Sequence, residues 1–206
     1  KANDLALMQA LNTEIANSSN PNLQVSIAVG AEYKFSINHI QYLDPSLFTT
    51  NANLVDKWNI MAYDFPASYG ANHSSLADAT GSMEGWKAAG VPYSKMILGV
   101  PFYARNANRS GELMYSQLSG TASTNYNNDL AGGWYYNGKP TLEAKMDLTA
   151  EKGALGILIW DLGQDRSPGN FSLLDAIDAK AATLCPVPKA NLGTDRGVCT
   201  GETTTL

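Results

Sequence analysis

Cysteine, histidine and basic residues are scarce in this 206-residue chain: two Cys, two His, and 14 Lys plus Arg against 19 Asp plus Glu. The histidines, His39 and His73, stand far in sequence from the cysteines, Cys185 and Cys199, so no metal-ligand cluster is evident and no metal is expected. A net charge of -5 with no basic run argues against a nucleic-acid partner, because that affinity rests on Lys and Arg neutralising phosphates. A neutral, hydroxyl-rich ligand is compatible with such a surface. No apolar run approaches the ~20 residues needed to span a bilayer, so no membrane partner is expected. No Gly-rich phosphate loop follows any strand-like run, and no cofactor is expected. Methionine is missing from position 1, where Lys1 opens directly into a helical pattern of Leu5, Met8, Leu11 and Ile15. We read this as a sign that something upstream has been removed or was not included.

What the chain does have is apolar content, 44% against 16% charged, enough for one globular domain with a real core. Its most informative segment is Trp58-Asn59-Ile60-Met61-Ala62-Tyr63-Asp64, a strand-like run that delivers a phenol and a carboxylate at its C-terminal end. In parallel α/β folds that end carries the chemistry. Two further runs finish in the same way: Met96 to Arg105, through Pro101-Phe102-Tyr103-Ala104-Arg105, and Gly156-Ile157-Leu158-Ile159-Trp160-Asp161.

The pattern along the chain alternates helices and buried strands. Helices are expected over Ala2 to Ala16, Ser75 to Ala89, Leu142 to Lys152 and Leu173 to Thr183, with a short one near Leu54 to Trp58. Gly90 with Pro92, and Gly153, supply helix stops. Strands are expected over Leu23 to Val29, Asn59 to Tyr63, Met96 to Tyr103 and Leu155 to Trp160. Near-continuous apolar strands separated by helices call for a parallel sheet covered on both faces. A closed eight-stranded barrel needs ~250 residues, so the chain holds material for about half of one. An open doubly wound sheet is the alternative, and it fits less well without a phosphate loop.

The runs Asn59-Ile60-Met61-Ala62-Tyr63-Asp64, Leu98-Gly99-Val100-Pro101-Phe102-Tyr103-Ala104-Arg105 and Gly156 to Asp165 resemble, in order and spacing, the sixth, seventh and eighth strands of glycoside hydrolase family 18 chitinases. Val25-Ser26-Ile27-Ala28 resembles the fifth. The resemblance implies an α/β fold that is the C-terminal half of a (β/α)8 TIM barrel. Residues 1–184 would be a partial catalytic domain, 111–139 a small insertion and 185–206 a tail leading into a Thr-rich linker. The family's Asp-x-x-Asp-x-Asp-x-Glu motif, whose last residue is the general acid, is missing here. The expectation is therefore a fragment beginning just after that Glu, inactive and marginally folded alone because two strand edges lack partners.

The resemblance further implies a substrate, chitin or N-acetylglucosamine oligomers, and a substrate-assisted mechanism in which the sugar's own acetamido oxygen attacks its anomeric carbon. Tyr63 would donate to that carbonyl oxygen, and Asp64 would hold the distorted ring and influence the absent acid. Trp160 would floor the cleft. Tyr103 and Arg105, with Asp161, would meet sugar hydroxyls and carbonyls, and Met61 would lie beneath the sugar. Asn72 and His73 would border the subsites of the leaving sugar. Each has a plainer reading as a strand-end cap, core packing, or an Arg paired with an acid such as Asp161. Rival functions are a conventional glycosidase using Glu32, Asp64 and Asp161, and a chitin-binding lectin-like protein. Cys185 and Cys199 lie close together in a Pro/Gly/Asn-rich stretch; they are expected to close a disulfide loop and imply a secreted protein, against the alternative of two unpaired thiols. A monomer is expected for the full-length protein.

Overall fold

The computed structural model describes residues 2–20, 22–31 and 43–184. The expected Cys185–Cys199 disulfide, the tail, Glu32 and His39 lie outside the described residues. Among these described residues, thirteen α-helices and strands follow in order: α1 (Ala2–Asn17), β1 (Ser26–Gly30), β2 (Lys57–Met61), α2 (Leu76–Ala89), β3 (Met96–Pro101), β4 (Tyr103–Asn106), β5 (Glu112–Met114), α3 (Ala122–Tyr126), β6 (Leu130–Ala131), β7 (Trp134–Tyr135), α4 (Lys139–Lys152), β8 (Gly156–Trp160) and α5 (Leu173–Leu184).

The main sheet has the order β1-β2-β3-β8, all parallel. Parallel neighbours need crossovers, and α2 and α4 supply them before β3 and β8. This is the second half of a (β/α)8 barrel, with β1 and β8 its outer strands among the described residues. Local chemistry sets the helix limits. The Ser75 hydroxyl accepts from the Asp78 backbone N–H to start α2. Gly90 ends α2 in the left-handed region at φ 119°, where a Cβ would come 2.4 Å from the Phe48 carbonyl oxygen. Pro140 sits in the first turn of α4, and Gly153 closes it at φ 67°.

Behind the sheet, Phe48, Trp58 and Trp86 form an aromatic cluster with centroids 5.4–6.0 Å apart. Its buried indole finds a partner, Trp86 Nε1 donating to the Gly30 carbonyl at 2.9 Å. Val29, Ile60, Met83, Met96 and Leu98 fill the space around it. Truncating either Trp to Ala would cost about 3–5 kcal/mol.

Several expected boundaries differ from those observed: β1 begins at Ser26 rather than Leu23, α4 begins at Lys139 rather than Leu142, and three further differences shape the approach to the strand ends. No helix spans 54–58; short 3-10 turns at Pro45–Phe48 and Ala52–Leu54 lead into β2, which claims Lys57 and the buried Trp58. β2 ends at Met61 rather than Tyr63, because Asp64 turns the chain into the left-handed region at φ 59°. The run Met96 to Tyr103 is split. β3 stays in register with β8 as far as Pro101 opposite Trp160, and β4 then leaves for a second, antiparallel sheet of order β5-β4-β7-β6. That sheet has its own core of Phe102, Tyr115, Leu118, Tyr136, Leu142 and Leu173. It stands beside the C-terminal edge of the main sheet.

Candidate active site

At the C-terminal ends of the parallel strands lies an open pocket of about 280 Å³. Met61 ends β2, Tyr63 and Asp64 follow it, Tyr103 and Arg105 stand on β4, and Trp160 ends β8. Glu112, the first residue of β5, completes the lining. The backbone makes this convergence possible at Gly99 on β3. A Cβ there would sit 2.6 Å from the Ile60 carbonyl oxygen and 2.9 Å from the Tyr63 ring, so only glycine lets the phenol lie against the strand. Asp64 tolerates its positive φ better than a branched residue would, since its short polar side chain bonds locally.

Asp64 is the electrostatic centre. Arg105 donates to it through a forked pair, Nε to Oδ1 at 2.8 Å and Nη2 to Oδ2 at 3.0 Å. The same Nη2 reaches Glu112 Oε2 at 3.1 Å, across the register pair Arg105 and Glu112 of β4 and β5. Behind the carboxylate, His73 is fully buried, its Nδ1 lying 3.4 Å from Asp64 Oδ1 and 3.3 Å from the Asp64 backbone nitrogen. Burial works to raise the Asp64 pKa, but hydrogen bonds with His73, Arg105 and Tyr103 outweigh it and hold the carboxyl well below the usual range. Burial pushes the Tyr63 hydroxyl up to about 12, and the Asp64 charge adds to the effect. Burial likewise raises the Tyr103 hydroxyl, reinforced by Asp64, and lowers His73 against the pull of Asp64.

The chemistry follows from these states. Near neutral pH Tyr63 is a protonated donor facing the pocket, and Asp64 is a fixed anion rather than a proton donor. Trp160, 54% exposed, offers an apolar face at the rim. A ligand with a carbonyl acceptor, several hydroxyls and a C–H-rich face matches that set.

Six of the seven catalytic and substrate-contact residues named from the sequence surround this pocket: Met61, Tyr63, Asp64, Tyr103, Arg105 and Trp160. Asp161 does not line it; its carboxylate accepts from Gln164 Nε2 at 2.9 Å at the head of the 162–164 turn. The Trp160–Asp161 peptide is cis. Arg105 pairs with Asp64 and Glu112, not with Asp161. His73 is no subsite border but a buried support beneath Asp64, since the loop folds back and Phe65 N donates to the His73 carbonyl at 3.1 Å. Asn72 is taken up structurally, donating to the Tyr136 carbonyl and accepting from Ser74 N. The rival pairing of Asp64 with Asp161 finds one acid in an ion pair and the other on a turn.

Two residues were missed. Glu112 carries no local motif, and only the pairing of β5 with β4 brings it to Arg105. Arg109, at φ 63°, donates to the carbonyls of Phe65, Ala71 and Gly70 at 2.7–2.8 Å, stitching the loop after β2 to the turn after β4. A second arginine four residues after Arg105 was the one available signal.

Known proteins agree with this architecture. The sequence matches Glycosyl hydrolases family 18 over residues 1–165. It is similar to the GH18 chitinase ChiB from Flavobacterium johnsoniae, at 30% identity and TM-score 0.69, covering 87% of this chain and 55% of that one. A class V chitinase of Arabidopsis thaliana is 25% identical over 87% of this chain and 58% of its own length. The fold is shared by a class V chitinase variant from Nicotiana tobaccum solved in complex with NAG4, at 21% identity and TM-score 0.59, covering 84% of this chain and 60% of that one. The chain thus spans a little over half the length of these relatives. With the match running from the first residue through the strand that ends in Trp160, this chain belongs to glycosyl hydrolase family 18.

Proposed function

We propose that this chain supplies the second half of the catalytic barrel of a secreted, monomeric chitinase that hydrolyses β-1,4 bonds between N-acetylglucosamine units with retention. The observation that carries the reading is the meeting of Tyr63, the Arg105-bound Asp64 and the exposed Trp160 at one sheet edge. The crystallised tobacco relative in complex with NAG4 supports the substrate class.

In this reading Trp160 stacks on the sugar and Tyr63 donates its hydroxyl to the acetamido carbonyl oxygen. The phenol's raised pKa keeps that proton in place. The oriented oxygen attacks the anomeric carbon, the glycosidic C–O bond breaks, and an acid protonates the leaving oxygen. Water then opens the cyclic intermediate and restores the acetamido group. Asp64, ionised and seated by Arg105 and His73, accepts from the acetamido N–H or a ring hydroxyl and stabilises the positive charge that develops. The proton donor is the Glu of the Asp-x-x-Asp-x-Asp-x-Glu motif, which these 206 residues do not contain. The chain alone is therefore inactive and requires the segment bearing that Glu.

A second reading is carbohydrate binding without hydrolysis, favoured by a pocket whose stacking and hydrogen-bonding groups are complete without the acid. The test is turnover of a fluorogenic N-acetylglucosamine oligomer by the chain alone and mixed with the first half-barrel of a related chitinase. Turnover only in the mixture is expected. Oligomer binding with silence in both supports the lectin reading, and turnover by the chain alone overturns the assignment of the acid.

A further inference from the structure

A charged side chain lies entirely inside the molecule on α4, outside the pocket. Lys145 is 0% exposed, and its Nζ donates to Ser74 O at 2.8 Å, Ser74 Oγ at 2.7 Å and Asn137 Oδ1 at 2.7 Å. Three acceptors match the three protons of an ammonium group, and none is a carboxylate. Desolvation makes this an expensive place for a lysine, and burial pushes its pKa down to about 7, only partly offset by the more distant Asp129 and Asp78. An apolar residue would pack here at lower cost, so the position is explained by what the ammonium holds.

It holds the neck of the loop that carries the site. The Ser74 hydroxyl donates to the Ala62 carbonyl at 2.6 Å, the residue just before Tyr63. Asn137 Nδ2 donates to Ser74 O at 2.8 Å, so Lys145 and Asn137 grip the same backbone group. Next to Ser74, His73 contacts Asp64 through both backbone and carboxylate. On its other side α4 runs through Gly153 into β8, which ends at Trp160. The lysine thus ties the loop bearing Tyr63 and Asp64 to the element that delivers Trp160.

We propose that Lys145 is a positioning residue which, through Ser74, closes the neck of the 62–74 loop and so seats Asp64 against His73 and Arg105. It touches nothing in the pocket. Its bearing on catalysis rests on the function proposed above, whereas its effect on Asp64 does not.

The experiment is carboxyl-carbon NMR titration of Asp64, with imidazole nitrogen shifts of His73, in the 206-residue chain and its Lys145→Met and Ser74→Ala variants. Lys145→Met removes charge and clamp together; Ser74→Ala breaks the neck and keeps the charge. In both, the Asp64 titration moves upward by about 1 pH unit, at the low end of what a neighbouring cation supplies, and the His73 signals move with it. Unchanged Asp64 and His73 signals in both variants, even with a lower melting temperature, reduce Lys145 to core packing and overturn the proposal. A shift in Lys145→Met alone overturns it too, because that is charge acting through space, and so does a shift in Ser74→Ala alone. If Lys145→Met does not fold, Lys145→Gln takes its place under the same criterion. Isothermal titration of the wild-type chain with N-acetylglucosamine trimer reports separately on the functional reading. Absence of binding sinks that reading and leaves the Asp64 result standing.

Discussion

The segments after β2 and after β8 start alike and finish differently. Each places an aromatic residue and then an aspartate at a strand end, Tyr63-Asp64 and Trp160-Asp161. After β2 the chain turns into the left-handed region, the phenol packs against Gly99, and the carboxylate is gripped by Arg105 and His73. After β8 the backbone stays extended at φ -128°, the indole remains open to solvent, and the carboxylate accepts from a side chain three residues on. One dipeptide pattern yields an anion held in a network and a carboxylate tied to a single side chain of the following turn. What packs behind the strand end decides between them.

The comparison that most sharpens this contrast is Asp64→Ala beside Asp161→Ala. Removing Asp64 leaves Arg105 with Glu112 as its remaining carboxylate partner and empties the seat over His73. The carboxylate is 43% exposed, so solvent screening limits the stability loss to about 1–2 kcal/mol. Asp161→Ala loses a single local hydrogen bond, about 0.5–1 kcal/mol. Urea denaturation of both variants checks the order, and equal losses would erase the distinction. In sugar binding, Asp64→Ala is expected to weaken the oligomer at least tenfold and Asp161→Ala by less than twofold.

Gly99→Ala attacks the support rather than the anion. The added methyl meets the Ile60 carbonyl at 2.6 Å and the Tyr63 ring at 2.9 Å, so overpacking costs about 1–3 kcal/mol and pushes the phenol from its place. Denaturation together with the Tyr63 resonances reads both consequences. Trp160→Ala inverts that profile: stability changes by no more than about 0.5 kcal/mol, because the ring is exposed, while oligomer affinity falls. Isothermal titration of the variant checks the separation of binding from folding.

The last contrast is the dependence of stability on pH. The folded Asp64 carboxyl titrates below its ordinary value of 3.8, so the unfolded chain takes up the proton first as pH falls. The stability this contributes is fully present above that value and is lost as pH drops towards the folded one. Lys145 works in the same direction at higher pH. Its folded pKa, near 7, lies below the unfolded 10.5, so the unfolded chain binds the extra proton and stability rises with pH across that window. Asp129 and Asp78 oppose the shift, and His73 feels the same ammonium as a repulsive charge. Melting curves of Asp64→Asn and Lys145→Met against pH should each flatten one of these slopes.

Much of the architecture was legible before folding because its signals are local. Helices α2 and α4 carry their own stops, and β3 and β8 stand out as apolar runs too short to be anything else. Local reading failed at Trp58, where the stretch Leu54 to Trp58, read as a short helix, proved to lead into β2, with Trp58 packed against Phe48 and Trp86. It failed again at His73, whose burial comes from a loop folding back on itself.

By itself the sequence determined an acidic chain of alternating helices and buried strands, with polar and aromatic groups at successive strand ends, because periodicity, Gly and Pro act within a few residues. Only the tertiary structure decided what those groups are. Asp64 became a fixed anion through Arg105, 41 residues away, and Glu112 joined it through a strand register. Lys145 became a buried clamp through Ser74, 71 residues away. Electrostatic character depends on neighbours and on exclusion of water, and both come into being only when distant segments pack.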